Sequence, residues 1–192
     1  MAEDPVCPHA PSVDANDLGT KDYSSARRNL LSPSMWSIRV RLEIARSKRD
    51  LAIFNLAIDS KLRGCDLVKL RLEDICSGTN VRRRATIVQK KTGRPVQFEI
   101  SEQSRNSVEA WLPMLRTTGS QYLFPSRLRA SPHISTRQYA RLVHRWVKSI
   151  GLESAPYGTH SMRRTKAAQT AHLEKSQGIP SSNFNSLVVV SK

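Results

Sequence analysis

Four side chains that suit the binding and activation of an anion are scattered along this chain. They are Arg63 in SKLRGCDL, Lys91 in QKKTGRPV, and His160 with Arg163 in THSMRRTK. A guanidinium presents a planar fork of donors that matches phosphate oxygens, and an imidazole beside it can donate a hydrogen bond or move a proton. Thr159 is a suitable N-cap for a helix starting at His160, and the three-residue spacing then sets His160 and Arg163 on one face of its first turns, within reach of one anion. Each group also has a plainer reading. Arg63 can complement the C-terminal dipole of the helix before it, Lys91 can be a solvated turn lysine, and a His-x-x-Arg pair often arises by chance.

Every one of these groups falls at the edge of an element the sequence predicts. In KRDLAIFNLAIDSKLRGCDLVKLRLEDI, the residues Leu51, Ile53, Phe54, Leu56, Ala57 and Ile58 make a helix apolar on most sides, which must run inside the fold. Arg63 follows its end, and a short helix carrying Leu67 and Leu70 follows Arg63. Two β-prone runs, Ala85 to Gln89 and Pro95 to Ile100, flank KKTGR and predict a hairpin whose glycine turn presents Lys91. Val108, Trp111, Leu112 and Leu115 then recur at helical spacing, and Pro125 stops the short apolar piece YLFPS.

The clearest helix has Tyr139, Leu142, Val143, Trp146, Val147 and Ile150 on one face, begins near Ser135 and ends at Gly151. Its other face carries Arg137, Arg141, Arg145 and Lys148, a stripe that either tracks a phosphate backbone or is an ordinary solvated face. SPSMWSIRVRLEIARSK reads two ways. Ile38, Val40, Leu42 and Ile44 alternate with polar residues as in a strand, whereas Pro33 after Ser32 looks like a helix start; periodicity alone favours strand.

Composition points to the kind of partner. The 192 residues include 31 Lys+Arg against 16 Asp+Glu, a formal net charge of +15. A polyanion is the natural partner for such a chain, nucleic acid first among them, because each neutralised phosphate releases condensed counterions. No aromatic spacing suggests a stacking platform for single-stranded RNA. No apolar run approaches the roughly 18 to 20 residues a spanning helix needs. The start, MAEDPVCPHAPSV, lacks a basic-then-apolar signal layout, so the expectation is a soluble, cytoplasmic protein with no membrane partner. Cys7, Cys65 and Cys76 are odd in number and widely spaced, which reads as reduced thiols, with neither a disulfide framework nor a four-ligand metal site. Residues 1–31 mix Pro, Ser, Asp and Gly without periodicity and are expected to be a flexible leader.

Taken together, Arg63 in SKLRGCDLVKLRLEDI, Lys91 in QKKTGRPV, then LFPS, then THSMRRTKAA resemble, in that order, the catalytic domain of tyrosine recombinases, the phage integrase family. The resemblance covers roughly residues 34 to 170 and implies an α+β fold, mainly helical with a small antiparallel β-hairpin, in which SIRVRLEIARSK is helical. The domain it implies spans residues 32–170, incomplete at its end. By the same resemblance Arg63 and Arg163 are the two arginines that clamp the scissile phosphate and stabilise charge on its oxygens. Lys91 is the hairpin lysine that protonates the leaving 5′-oxygen, and His160 supports phosphate binding and proton transfer. Asp66 stands where the family has an acidic residue that braces the site. Double-stranded DNA is the implied substrate, other recombinase protomers are implied partners, and no metal or other cofactor is implied.

The chain departs from the family after Arg163. A Leu-Gly-His box and, about nine residues later, a nucleophilic tyrosine are the family pattern, yet RTKAAQTAHLEKSQGIPSSNFNSLVVVSK contains neither. His172 is too close to Arg163 to be the missing histidine, and Tyr157 precedes the motif. Residues 171–192 therefore read as a divergent, disordered tail, like a frameshifted or prematurely ended frame. The leader is also too short for the family's separate core-binding domain. The expectation is a DNA-binding member of the family, acting in DNA recombination and integration, that cannot cleave DNA alone. The alternative is a non-catalytic protein that binds DNA or a recombinase.

Overall fold

The alternating apolar residues of the first segment form a helix, α1 (Ser32–Ile44). In this computed structural model, which describes residues 32–127 and 131–165, Met35, Ile38 and Leu42 are buried at helical spacing. Ile44 is 77% exposed and Trp36 66% exposed. A strand would have needed a partner for a whole face containing Ile38, Val40, Leu42 and Ile44; α1 instead lays one stripe on α2 (Lys48–Ser60) and on α6 (Thr136–Ser149). The strand-like periodicity is thus overridden by packing, and the helix implied by the family resemblance is what forms. Residues 1–31 and 171–192, with Cys7 among them, lie outside the described residues; Cys65 and Cys76 are free thiols.

Helix α2 runs through the core as its composition requires, with every residue from Ala52 to Ser60 buried. Its buried polar groups are matched. Asn55 Oδ1 accepts from Arg39 Nε of α1 at 2.8 Å. Asp59 Oδ2 accepts from the Ser101 N–H at 2.9 Å, from Ser101 Oγ at 2.6 Å and from Ser104 Oγ. Burial lowers the pKa of Arg39, an effect that the nearby charges of Asp59 and Glu43 oppose. Past α2, two single-turn helices follow, α3 (Gly64–Leu67) and α4 (Leu72–Ile75), with Leu70 buried between them.

The strands are few. β1 (Cys76–Ser77) and β2 (Asn80–Val81) form a minimal hairpin, while β3 (Arg84–Val88) and β4 (Pro95–Glu99) pair antiparallel from Arg84↔Glu99 to Val88↔Pro95. Ala85, Ile87 and Phe98 turn inward, as period-two alternation dictates. Gly93 has φ +63°, the left-handed turn conformation that the sequence reserved a glycine for. α5 (Glu102–Arg116) packs along α2 through Val108, Leu112 and Leu115, and its Trp111 Nε1 donates to the Leu123 carbonyl at 2.9 Å.

Helix α6 starts and stops where its sequence says. Ser135 Oγ accepts from the Gln138 N–H and Gln138 Oε1 from the Ser135 N–H, both at 3.1 Å, a reciprocal capping box. Gly151, at φ +80°, follows its end. Trp146 of α6 meets Phe54 of α2 edge to face at 5.4 Å between ring centres, which seats α6 on the core helix. The last described element, α7, covers residues 159–165. It begins one residue earlier than the sequence suggests: Thr159 is already helical and Gly158 takes the cap position, its N–H donating to Ser161 Oγ at 3.2 Å. No described helix is long and apolar enough to cross a membrane.

Candidate active site

Arg63 occupies the N-cap position of α3 with extended backbone (φ −66°, ψ 147°), just beyond the C-terminal end of α2. It is half-buried, and its Nη1 donates to Gln89 Oε1 at 2.8 Å. Arg163, a full helix-and-hairpin framework later, donates from Nε to the Lys61 carbonyl at 2.8 Å. That carbonyl belongs to the residue two before Arg63, and Lys61 itself has the left-handed conformation φ +52°, ψ 20° that ends α2. One more contact seats α7 here: a Cβ built on Gly64 would lie 3.4 Å from the Thr159 Cβ and 3.4 Å from the Tyr139 ring. These are ordinary van der Waals distances, so α3, α6 and α7 pack in contact at this point.

Lys91 sits exposed in the turn between β3 and β4, and this turn is tied to the same place. The Gln89 N–H donates to the Arg94 carbonyl at 3.0 Å and the Gly93 N–H to the Gln89 carbonyl at 2.8 Å, closing the turn. The Lys90 N–H donates to Asp66 Oδ1 at 3.2 Å. Asp66 is buried, and its Oδ2 has no hydrogen-bond partner, so one carboxylate oxygen remains available at the base of the hairpin turn. The neighbouring Lys90 side chain lowers the pKa of Lys69 by disfavouring a second positive charge beside its own. His160 is exposed in the first turn of α7, three residues before Arg163 on the same helix.

The folded chain therefore gathers the segments of Arg63, Lys91, His160 and Arg163 around the C-terminal end of α2. Among the described residues neither Arg63 nor Arg163 is paired with a carboxylate; Arg49 with Asp50 and Arg71 with Glu73 are ion pairs elsewhere, both at 3.0 Å. Both guanidiniums are held by neutral oxygens and keep their charge for an outside anion. Sequence reasoning missed what holds them: the Lys61 carbonyl carries no side-chain signature, and Gln89 reads only as the end of a strand.

The basic stripe behaves differently. Arg137, Arg141, Arg145 and Lys148 are all exposed on α6. Arg141 and Arg145, however, line a groove of about 920 Å³ together with Arg46, Lys48, Arg49 and Arg127. That groove lies at the N-terminal end of α2, which at about 1.5 Å per residue puts it roughly 20 Å from the arginine cluster at the other end.

Residues 39–176 match the model of the phage integrase family, more than half of the chain. The chain belongs to the phage integrase family. Its fold is that of solved tyrosine recombinases. The XerA recombinase aligns over 82% of this chain and 53% of its own, at 16% identity and a TM-score of 0.64. A XerH site-specific recombinase bound to difH substrate in a pre-cleavage complex aligns over 89% of this chain and 52% of its own, at 17% identity and a TM-score of 0.59. The lambda integrase catalytic core aligns over 79% and 85% respectively, at 22% identity and a TM-score of 0.55. The chain spans about half the length of the recombinases of the Xer type that it matches. Comparison with curated proteins finds no match.

Within this phage integrase family fold, the described tyrosines are Tyr122, Tyr139 and Tyr157. Tyr139 is buried in the core, and burial raises its hydroxyl pKa well above the usual phenol range, which keeps it protonated. Tyr122 packs against Arg71, whose guanidinium lies 5.8 Å from its ring centre, and against His133. Tyr157 is half-buried and packs against the core ahead of α7.

Proposed function

We propose that this chain grips and activates one backbone phosphate of double-stranded DNA for strand exchange by a tyrosine recombinase. The observation that carries this reading is the bond from Arg163 Nε to the Lys61 carbonyl, which brings the second arginine to the segment of the first. Arg63 and Arg163 neutralise the non-bridging oxygens and stabilise the charge that grows on them in the transition state. A tyrosine oxygen attacks phosphorus, the bond to the 5′-oxygen breaks, Lys91 gives that oxygen its proton, and a 3′-phosphotyrosine forms. His160 donates to the same phosphate. Residues 164–192 contain no tyrosine, so the attacking group comes from outside this sequence, with a second recombinase protomer as one source.

A substrate that needs no tyrosine tests the pocket. In a nicked duplex with a p-nitrophenyl ester on the 3′-phosphate and a free 5′-hydroxyl opposite, the 5′-oxygen attacks phosphorus, p-nitrophenolate leaves, and the backbone is restored. The protein is expected to accelerate this release, with Lys91 now taking the proton of the 5′-hydroxyl. Lys91→Ala should slow it about a hundredfold, the lower end for a general acid or base. Release at the buffer rate with the intact protein would remove the reading.

The separate basic groove favours a second reading, a DNA-binding protein whose grip does not depend on the pocket. In that case Arg141→Gln with Arg145→Gln should flatten the dependence of log affinity on log salt by about two, roughly 0.9 for each phosphate no longer neutralised. Arg63→Ala should then leave duplex affinity unchanged. A salt titration of duplex binding separates the two.

A further inference from the structure

Gln89 is a polar residue at the mouth of an exposed basic turn, yet it is 8% exposed. Its position is explained by what its side-chain carbonyl holds. Oε1 accepts from Arg63 Nη1 at 2.8 Å and from Thr92 Oγ1 at 3.1 Å. Its backbone N–H and carbonyl meanwhile close the turn on Arg94 and Gly93. One residue thus fixes the Arg63 guanidinium and the turn that carries Lys91 relative to each other.

The charge of this acceptor matters as much as its place. A carboxylate at the same point would hold the arginine more tightly, since charge-assisted hydrogen bonds are the stronger kind. It would also cancel the positive charge and set an anion beside the incoming phosphate. An amide carbonyl orients the guanidinium by one bond and leaves its charge and its other donors free.

We propose that Gln89 is a positioning residue of this pocket, a neutral clamp that aligns Arg63 with the lysine turn while leaving the arginine fully available to an anion. This rests on the reading of the pocket as a phosphodiester site. Gln89→Glu and Gln89→Leu test it in the full chain by two measurements. The first is the NMR signal of the Arg63 guanidinium, whose hindered rotation reports the hydrogen bond without any activity, followed during titration with sulfate. The second is p-nitrophenolate release from the nicked duplex.

Gln89→Glu is expected to keep the ordered Arg63 signal and a thermal midpoint at or above that of the parent, yet to bind sulfate about tenfold more weakly. It should release p-nitrophenolate about a hundredfold more slowly, mainly through kcat. Gln89→Leu should lose the ordered signal and react about tenfold more slowly. In an Arg63→Ala background, Gln89→Leu should cost at most about twofold more, because a clamp with nothing to hold has little left to lose. A purely structural role would make both rates follow stability. The proposal is overturned if Arg63 rotates freely in the parent, if Gln89→Glu binds sulfate or reacts as the parent does, or if Gln89→Leu costs as much without Arg63 as with it. An inactive parent would instead remove the phosphodiester reading, and the NMR and sulfate measurements would still decide the role of Gln89.

Discussion

Arg163→Ala is expected to slow p-nitrophenolate release from the nicked duplex about a thousandfold while changing duplex affinity only modestly. Removing a single preorganised donor from a developing oxyanion costs about a hundred- to a thousandfold, and an arginine supplies two donors and a charge. The geometry explains why the effect falls on the rate. Nε of Arg163 is committed to the Lys61 carbonyl at 2.8 Å, so the guanidinium plane is fixed and its two Nη groups are left for the oxygens of one phosphate. Affinity is spread over a chain of formal charge +15, and one cation is a small part of that. Arg163→Lys should recover little, because an ammonium cannot hold the Lys61 carbonyl and two phosphate oxygens in one plane. The lost hydrogen bond itself is worth about 1 kcal/mol, too little to unfold the protein. Single-turnover rates beside a gel-shift titration make the comparison; equal losses in both would assign Arg163 to binding alone.

The parts of this site that were legible in the sequence are those set by residue type and local spacing. Arg63 after a buried helix, Lys91 in a glycine turn and the His160–Arg163 pair could be named because each sits at a junction that local pattern predicts. Ser135 and Gly151 likewise marked both ends of α6. What was not legible depends on which surfaces meet. The alternation of Ile38, Val40, Leu42 and Ile44 is compatible with a strand until α2 and α6 offer a partner to one helical stripe only. Gly158 replaces Thr159 as the cap of α7 because Ser161 reaches back to its N–H, a choice between neighbouring residues that composition cannot rank. The α6 stripe reads as one line of charge, but its middle members face a groove built from the α1–α2 turn and the segment around Arg127, which only the folded chain brings there. Gln89 is the strongest case: its partners are 26 positions upstream and 3 downstream, and no periodicity links them.

The same logic locates the pocket's foundation away from the pocket. Asp59→Ala is expected to destabilise the chain by about 3 kcal/mol, measured as a fall in the urea midpoint, because it strands several groups at once. Asp59 is 9% exposed and receives the Ser101 N–H, Ser101 Oγ and Ser104 Oγ; Ser101 in turn caps α5 by accepting from the Ser104 N–H at 3.3 Å. Its loss also removes a negative charge from half-buried Arg39, which burial already penalises. Asp59→Asn keeps the shape and an acceptor oxygen, and should cost less than half as much. The consequence for the site follows from position. Asp59 lies in the last turn of α2, immediately before the Lys61 carbonyl that seats Arg163 and the extended residue Arg63. Loosening that turn lets the two arginines drift apart, so the nicked-duplex rate of Asp59→Ala should fall by more than its unfolded fraction explains, whereas a cavity of equal cost placed at Leu115, far along α5, should lower the rate only in proportion to the unfolded chain.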